Sequence, residues 1–344
     1  MKLVKPYVKY VPNRNNTIQV AKAARICYAA QMDNVDYYTF IENLWKNKGH
    51  RSPFRHATIY LEISASFERL INLFINSPYC TCVFIPGEYT WFISTNEQFI
   101  RELDAKVLKT ISNFYISEEY IYKEIEKYPE LKDIIRISFE IQTQISTSRE
   151  LNRVSPNNIC EQSTRYCNFS NQKKFGEHIA FCEPHWADFT TYYNEDAGET
   201  TESDERIFYR LLTSNGYEIF AQVGSADLQI GRLYPLATKG IPLNDGSALC
   251  YSYTISKKWI ETCLEAEDNY FVCIKEGMKP QDARGILPLD VATKCFYTYS
   301  VKEWKHILDL RYKGTTGDPH PNAKIVATEI YNTLKELNLL GNYE

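Results

Sequence analysis

The segment from Arg149 to Tyr166 carries the densest group of polar side chains in the chain. Its sequence, RELNRVSPNNICEQSTRY, places three arginines, two glutamates and several hydroxyl groups within 18 positions. Residues 156–158 (PNN) are typical of a turn, and the chain reversal is expected to bring Arg153 and Arg165 near one another. Hydroxyl groups, backbone N–H groups and a guanidinium suit a phosphate monoester, because each charge-assisted contact contributes about 1.5–3 kcal/mol. The segment therefore predicts a phosphate-binding loop.

Residue types alone leave a second interpretation open. In that interpretation the segment is an ordinary surface loop whose arginines pair with Glu150 and Glu161. A nucleophilic role for Ser163 is disfavoured, because no histidine stands in a recognisable arrangement to activate its hydroxyl. Binding is therefore the preferred role for Ser163.

Hydrophobic periodicity predicts the elements that must position this segment. Ile59, Leu61 and Ile63 alternate with more polar residues, which indicates a half-buried strand. A second alternating strand runs through residues 135–141 and leads directly into a short helix over residues 146–153. The strand and helix together would hold the polar segment in place.

Further helices are predicted downstream, and one upstream over residues 66–78. A helical face runs from Trp259 to Ile274, a helix opening at Pro280 carries Arg284, and the last helix covers about residues 321–337. Residues 194–205 (NEDAGETTESDE) indicate a solvated loop. Because strands and helices are interspersed without a βαβ rhythm, the sequence predicts an α+β fold, with a mixed or antiparallel sheet and flanking helices in one domain over residues 1–344.

Composition narrows the class of protein. The 344-residue chain is 44% hydrophobic and 24% charged with a net charge of −4, which excludes the basic footprint of a nucleic-acid or anionic-membrane binder. The N-terminus lacks a signal-like apolar core, and no apolar run is long enough to span a bilayer, so a cytoplasmic protein is expected. The ten cysteines form no CxxC pair, and no metal site is expected. No Walker-type loop or GxGxxG is present, so a Rossmann site is not indicated.

Three ordered blocks of sequence resemble flavin-dependent thymidylate synthases. Residues 153–166 are similar to the family motif Arg-His-Arg-x-x-Ser-x-x-(Glu/Gln)-x-Ser-x-Arg-Tyr, with Arg153 on its first arginine. Residues 52–56 (SPFRH) are similar to the early Pro-Phe-x-His before a strand. Residues 283–289 (ARGILPL) and 304–311 (WKHILDLR) are similar to the C-terminal Ala-Arg-x-x-Leu-Pro-Leu and Phe-x-x-Leu-Arg blocks. The resemblance covers roughly residues 50–335.

The resemblance implies methylation of dUMP to dTMP, with methylenetetrahydrofolate as carbon donor, NADPH as hydride donor and bound FAD. It implies a homotetramer whose active sites are shared between subunits. The Ser163 hydroxyl and Arg165 would bind the nucleotide phosphate, and Arg311 would be catalytic, stabilising negative charge as uracil N3 ionises. The dUMP-binding positions implied in this way are Glu150, Arg153, Glu161, Gln162, Ser163, Thr164, Arg165, Arg284 and Arg311.

On the flavin side the sequence departs from the family pattern. Val154 and Ser155 replace the histidine and second arginine of Arg-His-Arg, Asn158 replaces the middle serine, and Ser300 stands where relatives usually have asparagine. Losing a charged phosphate contact costs about 1.5–3 kcal/mol, or about ten- to a hundredfold in affinity. Lys173, Lys174 and Lys302 are candidates to replace the lost contacts. The FAD-binding positions implied by the resemblance are His56, Thr58, Arg153, Val154, Ser155, Glu161, Ser300, Val301, Lys302 and His306.

These departures leave three hypotheses open. The chain is an active thymidylate synthase, a related enzyme that hydroxymethylates or uses another pyrimidine nucleotide, or a non-catalytic nucleotide-binding paralogue. Two segments, near residues 83–130 and 190–255, are extra relative to the shortest relatives and have no predicted role. His320-Pro321 resembles the closing histidine element of the family and equally resembles a simple helix start.

Overall fold

The structure is a computed structural model that describes residues 1–13, 15–29, 36–176, 178–188 and 253–343. Between residues 189 and 252 it describes only strand segments, at 191–194, 199–202, 205–213, 216–223, 237–238, 241–242 and 248–249. The chain divides into two compact units. Unit 1 comprises Met1–Tyr7, Gln142–Arg149 and Ser163–Thr293, and unit 2 comprises Val8–Ile141, Glu150–Gln162 and Lys294–Glu344. This division does not test the single-domain prediction, which stays a prediction.

Strands and helices alternate irregularly along the chain, so the α+β prediction is confirmed. The described strands are β1 Lys2–Val4, β2 Tyr7–Val11, β3 Thr58–Ser64, β4 Thr81–Ile85, β5 Thr90–Asn96, β6 Tyr115–Ile116, β7 Arg136–Gln144, β8 Ile159–Glu161, β9 Ala180–Cys182, β10 Ala187–Asp188, β11 Thr191–Asn194, β12 Glu199–Glu202, β13 Glu205–Thr213, β14 Gly216–Val223, β15 Ala237–Thr238, β16 Ile241–Pro242, β17 Ala248–Leu249 and β18 Ala292–Ser300.

Most of the described α-helices are short. They are α1 Asn16–Ile26, α2 Tyr37–Lys46, α3 Glu68–Ile75, α4 Glu97–Arg101, α5 Ala105–Ile111, α6 Glu118–Lys127, α7 Ile145–Leu151, α8 Gln172–Phe175, α9 Tyr253–Lys275, α10 Pro280–Ala283, α11 Val301–Leu308 and α12 Pro321–Glu336. A single π-helical turn, Asp309–Lys313, follows α11 directly. None of the helices described here is long and apolar enough to cross a membrane.

Unit 2 is built on two four-stranded sheets, of strand order β2-β7-β18-β8 and β4-β5-β3-β6. Its largest core contains Phe139 of β7, Tyr297 and Tyr299 of β18, Trp304 of α11 and Ile330 of α12. These side chains are almost fully buried, so burial of large apolar surface holds α11 and α12 against the β7–β18 pair. That packing fixes the turn that follows α11.

The strand predicted around Ile59 is present as β3, but the prediction that it is half-buried is wrong. Leu61 and Ile63 are buried on one face, as expected, while Tyr60 on the other face is only 4% exposed. The reason is the position of β3 inside its sheet, where it pairs with both β5 and β6. Two separate hydrophobic clusters cover its two faces, so both faces are withdrawn from water.

The extra segment near residues 83–130 supplies part of this second sheet. It contains β5, which pairs along the whole of β3, and β6, which pairs with β3 only at Tyr60 and Leu61. It also contains α4, α5 and α6. Within unit 2 this segment therefore completes the sheet around β3. The second extra segment, near 190–255, is described only as the strand segments β11 to β17 and the start of α9.

Unit 1 contains a four-stranded sheet of order β14-β13-β1-β9, with β1 antiparallel to β13 and parallel to β9. Its core includes Leu3, Phe181, Ile260, Cys263 and Tyr270. The last three come from α9, which confirms the helical face predicted there. Part of the loop predicted over residues 194–205 is instead strand: Asn194 ends β11, residues 199–202 form β12, which pairs with β11, and Glu205 begins β13. Residues 195–198 and 203–204 lie outside the described residues.

The remaining predicted helices are present, with small corrections. The short helix after the strand of residues 135–141 is α7, and the helix opening at Pro280 is α10, which ends just before Arg284 in a 3-10 turn. The last helix is α12, as predicted. Its buried face is formed by Val326, Ala327, Ile330 and Leu334, whereas Ile325, which stands at helical spacing from Ile330 in the sequence, is 43% exposed.

Candidate functional site

Arg311, the predicted catalytic residue, lies in the π-helical turn of unit 2 and binds Glu150. Its Nε donates to the Glu150 backbone oxygen at 2.7 Å, and its second terminal nitrogen lies 2.9 Å from Glu150 Oε2. The Arg311 side chain is only 11% exposed. Two contacts to one residue fix the guanidinium plane, which a single contact would leave free to rotate.

Arg153 shares the same carboxylate oxygen. One of its terminal nitrogens lies 3.2 Å from Glu150 Oε2, and another donates to the Asn152 backbone oxygen at 3.0 Å. Burial lowers the pKa of Arg311, and the positive charge of Arg153 lowers it further. Two guanidinium groups and one carboxylate leave one excess positive charge. We call Glu150, Arg153 and Arg311 the Arg311 cluster. The pairing of Arg153 with Glu150 also agrees with the surface-loop interpretation of this segment.

The loop from Ser163 to Tyr166, in unit 1, is ordered by its own polar groups. The backbone N–H of Arg165 donates to the Ser163 hydroxyl at 3.2 Å, and the Cys167 N–H donates to the Ser163 carbonyl at 2.9 Å. Arg284 donates to the Thr164 hydroxyl at 2.8 Å. Two residues predicted to bind the nucleotide, Thr164 and Arg284, are therefore in direct contact.

Buried side chains that follow this loop anchor it within unit 1. Cys167 and Phe169, just beyond the loop, are buried, and the Phe169 N–H donates to the Tyr270 hydroxyl at 3.4 Å. Arg165 is exposed, and its guanidinium lies 5.4 Å from the centre of the Tyr166 ring. The loop thus presents an exposed guanidinium next to an anchored backbone, which is suitable for binding an anionic ligand.

Glu161 and Gln162 extend strand β8 of unit 2. Glu161 lies opposite Cys295 in the β8–β18 ladder, and the Gln162 N–H donates to the Lys294 carbonyl at 2.8 Å. Both side chains are half-buried. The predicted proximity of Arg153 and Arg165 concerns residues of different units, and it stays a prediction.

His56, a predicted flavin-side residue, is completely buried in unit 2. Its Nδ1 is 2.9 Å from the Thr298 hydroxyl, which is 2.7 Å from the Ser138 hydroxyl, which accepts from Gln19 Nε2 at 2.6 Å. Among the described residues, His56 Nε2 has no hydrogen-bond partner. Burial lowers the pKa of His56 to about 3, and the charges of Arg136 and Arg55 act in the same direction. The imidazole is therefore neutral at physiological pH.

This burial predicts a specific dependence of stability on pH. The native pKa of about 3 lies below the ordinary value of about 6.5. Above pH 6.5 the imidazole is therefore neutral in both the folded and the unfolded chain, and its burial causes no pH-dependent loss of unfolding free energy. As the pH falls below that value the unfolded chain binds a proton and the native chain does not. We expect His56 to lower the unfolding free energy by about 1.4 kcal/mol per pH unit between about pH 6 and 4. Urea unfolding at several pH values measures the slope.

The control for this prediction is a pair of variants. His56→Gln removes the titrating group and should flatten the slope by that amount, although its stability at neutral pH will also fall. His50→Gln, at an exposed histidine, should leave the slope as it is in the wild type. Equal slopes in wild type and His56→Gln would show that His56 does not titrate as described.

Ser300, Val301 and Thr58, also predicted on the flavin side, have structural contacts. Ser300 is the N-cap of α11, where its hydroxyl and the Glu303 side chain form a capping box, and Val301 is fully buried. Thr58 is 7% exposed, and the Asn16 side-chain amide binds both its backbone N–H and its carbonyl.

The flavin-side positions that reach solvent are Arg153, Ser155, Lys302 and His306, while Val154 is half-buried. Three of these are basic or can become so, which is the donor chemistry that a diphosphate requires. The exposed part of the predicted set therefore fits an anionic cofactor. Of the lysines predicted as replacements, Lys173 has a side chain outside the described part of the structure.

His320 caps α12, accepting from the Asn322 N–H at 3.3 Å, which favours the helix-start interpretation. Sequence reasoning missed the buried polar residues of unit 2, above all Ser138, Thr298 and Arg136. Each stands in a strand among buried apolar residues, and a polar residue at such a position was the signal that could have identified it. No group of three or more metal-ligating side chains is present in the described part of the chain.

The Ser163–Tyr166 loop presents an exposed guanidinium, and the Arg311 cluster holds two guanidinium groups on one carboxylate. Both arrangements are compatible with an anionic ligand. A family model described as Thy1, thymidylate synthase complementing protein, matches residues 119–337. This match covers well over half of the chain, and the chain belongs to that family. It contains the Ser163–Tyr166 loop and the Arg311 cluster alike.

Two solved structures resemble the chain weakly. Both are of the UMP/dUMP methylase PolB from Streptomyces cacaoi, one bound with 5-Br UMP and the other with 5-Br dUMP. The first is 14% identical, with a TM-score of 0.40, over 99% of this chain and 96% of that chain. The second is 15% identical, with a TM-score of 0.40, over 98% of this chain and 93% of that chain. A search of curated protein sequences found no match.

Proposed function

We propose that this chain is a flavin-dependent thymidylate synthase that converts dUMP to dTMP with methylenetetrahydrofolate and NADPH. The observation that carries the proposal is the family match over residues 119–337, within which the ordered sequence blocks keep the nucleotide-side residues. We also propose a cytoplasmic homotetramer with active sites shared between subunits, as the resemblance implies.

Arg311 is the proposed catalytic residue, acting on the uracil ring. Ionisation of uracil N3 places negative charge on the ring and makes C5 more nucleophilic toward the incoming carbon. The excess positive charge of the Arg311 cluster stabilises the negative charge that develops on the ring. The two contacts to Glu150 orient the guanidinium before the reaction begins. Such preorganised stabilisation costs no reorganisation in the transition state.

The nucleotide phosphate is assigned to the residues of unit 1. Arg284 and Thr164 are already in contact at 2.8 Å, and Arg165 is exposed on the ordered loop. A guanidinium binds two phosphate oxygens at once, and hydroxyl groups bind a third. Ser163, whose hydroxyl accepts from the Arg165 N–H, orders this loop and remains a binding residue in the proposal.

FAD is assigned to the exposed basic positions Arg153, Lys302 and His306, with Ser155 beside them. Redox chemistry, the transfer of hydride from NADPH and of the one-carbon unit to the nucleotide, is what bound FAD supplies. The buried His56 and Ser300 belong to the interior of unit 2 and contribute no charge to cofactor binding. Val154 and Ser155, which replace the family's histidine and arginine, favour weaker binding of FAD than in relatives.

Two measurements test the proposal. Purified protein should show a flavin absorbance band at about 450 nm. Expression of the protein in a thymidine auxotroph should allow growth without thymidine. A colourless protein that still binds dUMP would rule out the synthase and favour the non-catalytic paralogue. A flavin-containing protein that fails to support growth would favour the related enzyme, whose product mass spectrometry would then identify as hydroxymethylated or as another nucleotide.

A further inference from the structure

A cleft of about 310 Å³ opens in unit 2 beside the start of strand β3. The described residues that line it include Asn13, Asn16, Thr58, Tyr60, Tyr115 and Glu118. All of these residues precede residue 119, where the family match begins. The cleft is therefore formed by the part of the chain outside that match, including the extra segment near residues 83–130.

The walls of the cleft are held by backbone contacts. β6 pairs with β3 at Tyr60 and Leu61 and no further. At Thr58 the Asn16 side chain takes the place of a neighbouring strand, donating to the Thr58 carbonyl at 2.8 Å and accepting from its N–H at 2.9 Å. The backbone edge is thus satisfied on this side of β3, and what remains for a ligand is the side chains.

Three polar side chains around the cleft lack a partner in the described parts of unit 2. The Glu118 carboxylate is half-buried and forms no hydrogen bond or ion pair there. Thr58 is more than nine-tenths buried, and its hydroxyl has no partner. The side-chain oxygen of Asn13 is also unpaired. Buried polar groups are almost always hydrogen-bonded in proteins. The two buried unpaired oxygens of Asn13 and Thr58, together with the half-buried unpaired carboxylate of Glu118, therefore make this cleft a candidate binding site.

The charge around Glu118 defines what kind of ligand fits. Burial raises the pKa of Glu118 to about 7. The titratable groups that interact with it are Tyr10, Tyr60 and Tyr122, and burial together with the Glu118 charge raises the pKa of each. None of the described lining residues is a lysine or an arginine. Among the described lining residues the charged group is therefore the Glu118 carboxylate, which attracts N–H donors and, when ionised, repels anions.

We propose that this cleft binds a small organic ligand that presents N–H donors, an alkylammonium or an amino-substituted heterocycle, with Glu118 as its main anchor. The carboxylate and the Asn13 oxygen accept from the N–H groups of the ligand, and the Thr58 hydroxyl accepts or donates beside them. Tyr115, 45% exposed, offers an aromatic face against which a cation or a flat ring can pack. The site is separate from the proposed FAD and nucleotide contacts except for Thr58.

Titration of the purified full-length protein with four probes tests the proposal. n-Butylammonium represents the alkylammonium source, guanosine and 6-hydroxymethylpterin represent the heterocyclic one, and inorganic phosphate is the anionic comparison. We expect at least one N–H probe to bind and phosphate not to bind at the cleft. Glu118→Gln should weaken the probe that binds by about tenfold or more, the effect of losing a charge-assisted contact.

The matched control is Glu119→Gln. Glu118 and Glu119 both lie in the first turn of α6, but Glu119 is exposed. Both substitutions replace one carboxyl group by an amide at the same helix start, so they should differ mainly at the cleft. Equal affinities in the two variants, or no binding of any N–H probe to the wild type, would overturn the proposal.

Two further measurements keep the proposal testable if a variant does not fold. In the wild type, affinity for the probe that binds should rise about tenfold from pH 6 to 8, because a carboxyl group with a pKa of about 7 becomes ionised over that range; a flat profile contradicts the proposal. FAD is the second probe. Glu118→Gln should leave FAD affinity unchanged, whereas tighter FAD binding would mean that the cleft receives cofactor phosphates instead. The FAD measurement therefore distinguishes a failure of the proposed cleft ligand from a failure of the proposed synthase function.

Discussion

Replacing Arg311 with alanine is expected to lower the turnover of dUMP by about 100- to 1000-fold, the usual effect of removing one group that stabilises developing charge. The substitution removes the guanidinium held by the Glu150 backbone and carboxylate oxygens. Glu150 keeps its contact with Arg153, so the fold of unit 2 should persist. Steady-state formation of dTMP, followed by chromatography, measures kcat and KM separately.

Two further variants make this test specific. Arg311→Lys keeps the positive charge but cannot bind both Glu150 oxygens in one plane, so we expect an intermediate loss of kcat. Lys313→Ala removes an exposed cation from the same π-helical turn and should leave turnover within about twofold. Flavin content should be equal in all of these proteins. Full activity in Arg311→Ala would refute the assignment of the uracil-activating role.

Replacing Trp304 with alanine is expected to cost about 3–5 kcal/mol of unfolding free energy. Trp304 is fully buried, its ring centre lies 5.1 Å from those of Phe139 and Tyr299, and its indole N–H donates to the Ile137 carbonyl at 3.0 Å. The substitution removes the largest side chain between α11 and the β7–β18 pair. Urea unfolding measures the loss.

Trp304→Phe separates the two parts of this effect. It keeps an aromatic ring in the core but removes the donor to Ile137, so we expect a smaller loss of about 1–3 kcal/mol. Because α11 leads directly into the turn that carries Arg311, kcat should also fall in Trp304→Ala at temperatures where that variant is still folded. A loss below about 1 kcal/mol in the alanine variant would show that Trp304 does not lie in a packed core.

Local sequence patterns predicted the elements that depend on neighbours close in the chain. The apolar face of α9 and the alternation in β3 were readable because both repeat over several residues. The pattern could not predict which side chains from elsewhere in the chain pack against each face of the strand. Tyr60 looks like a solvent-facing position in an alternating strand, and only the packing of a second cluster on that face buries it.

The candidate site divides in the same way. The nucleotide-side residues form a contiguous run ending at Tyr166, with Arg284 and Arg311 in separate blocks, and order along the chain was enough to propose them. Ser300 shows the opposite case. Ser300 with Glu303 three positions later is a capping-box pattern, so its structural role was legible locally, yet the resemblance alone assigned it to the flavin. Glu118 belongs to no motif, and only its unpaired burial in the cleft singles it out.

The Asn16 side chain that binds both backbone groups of Thr58 also bears on how the protein prevents other chains from pairing with the edge of this sheet. Beyond Tyr60, strand β3 pairs with none of the described strands on the β6 side, and an open strand edge is a template onto which another chain can add. A side-chain amide there occupies the donor and the acceptor that an incoming strand would use. Asn16 thus protects the edge of the sheet without adding a strand, and it leaves the surface beside Thr58 open to small molecules while closing it to another backbone.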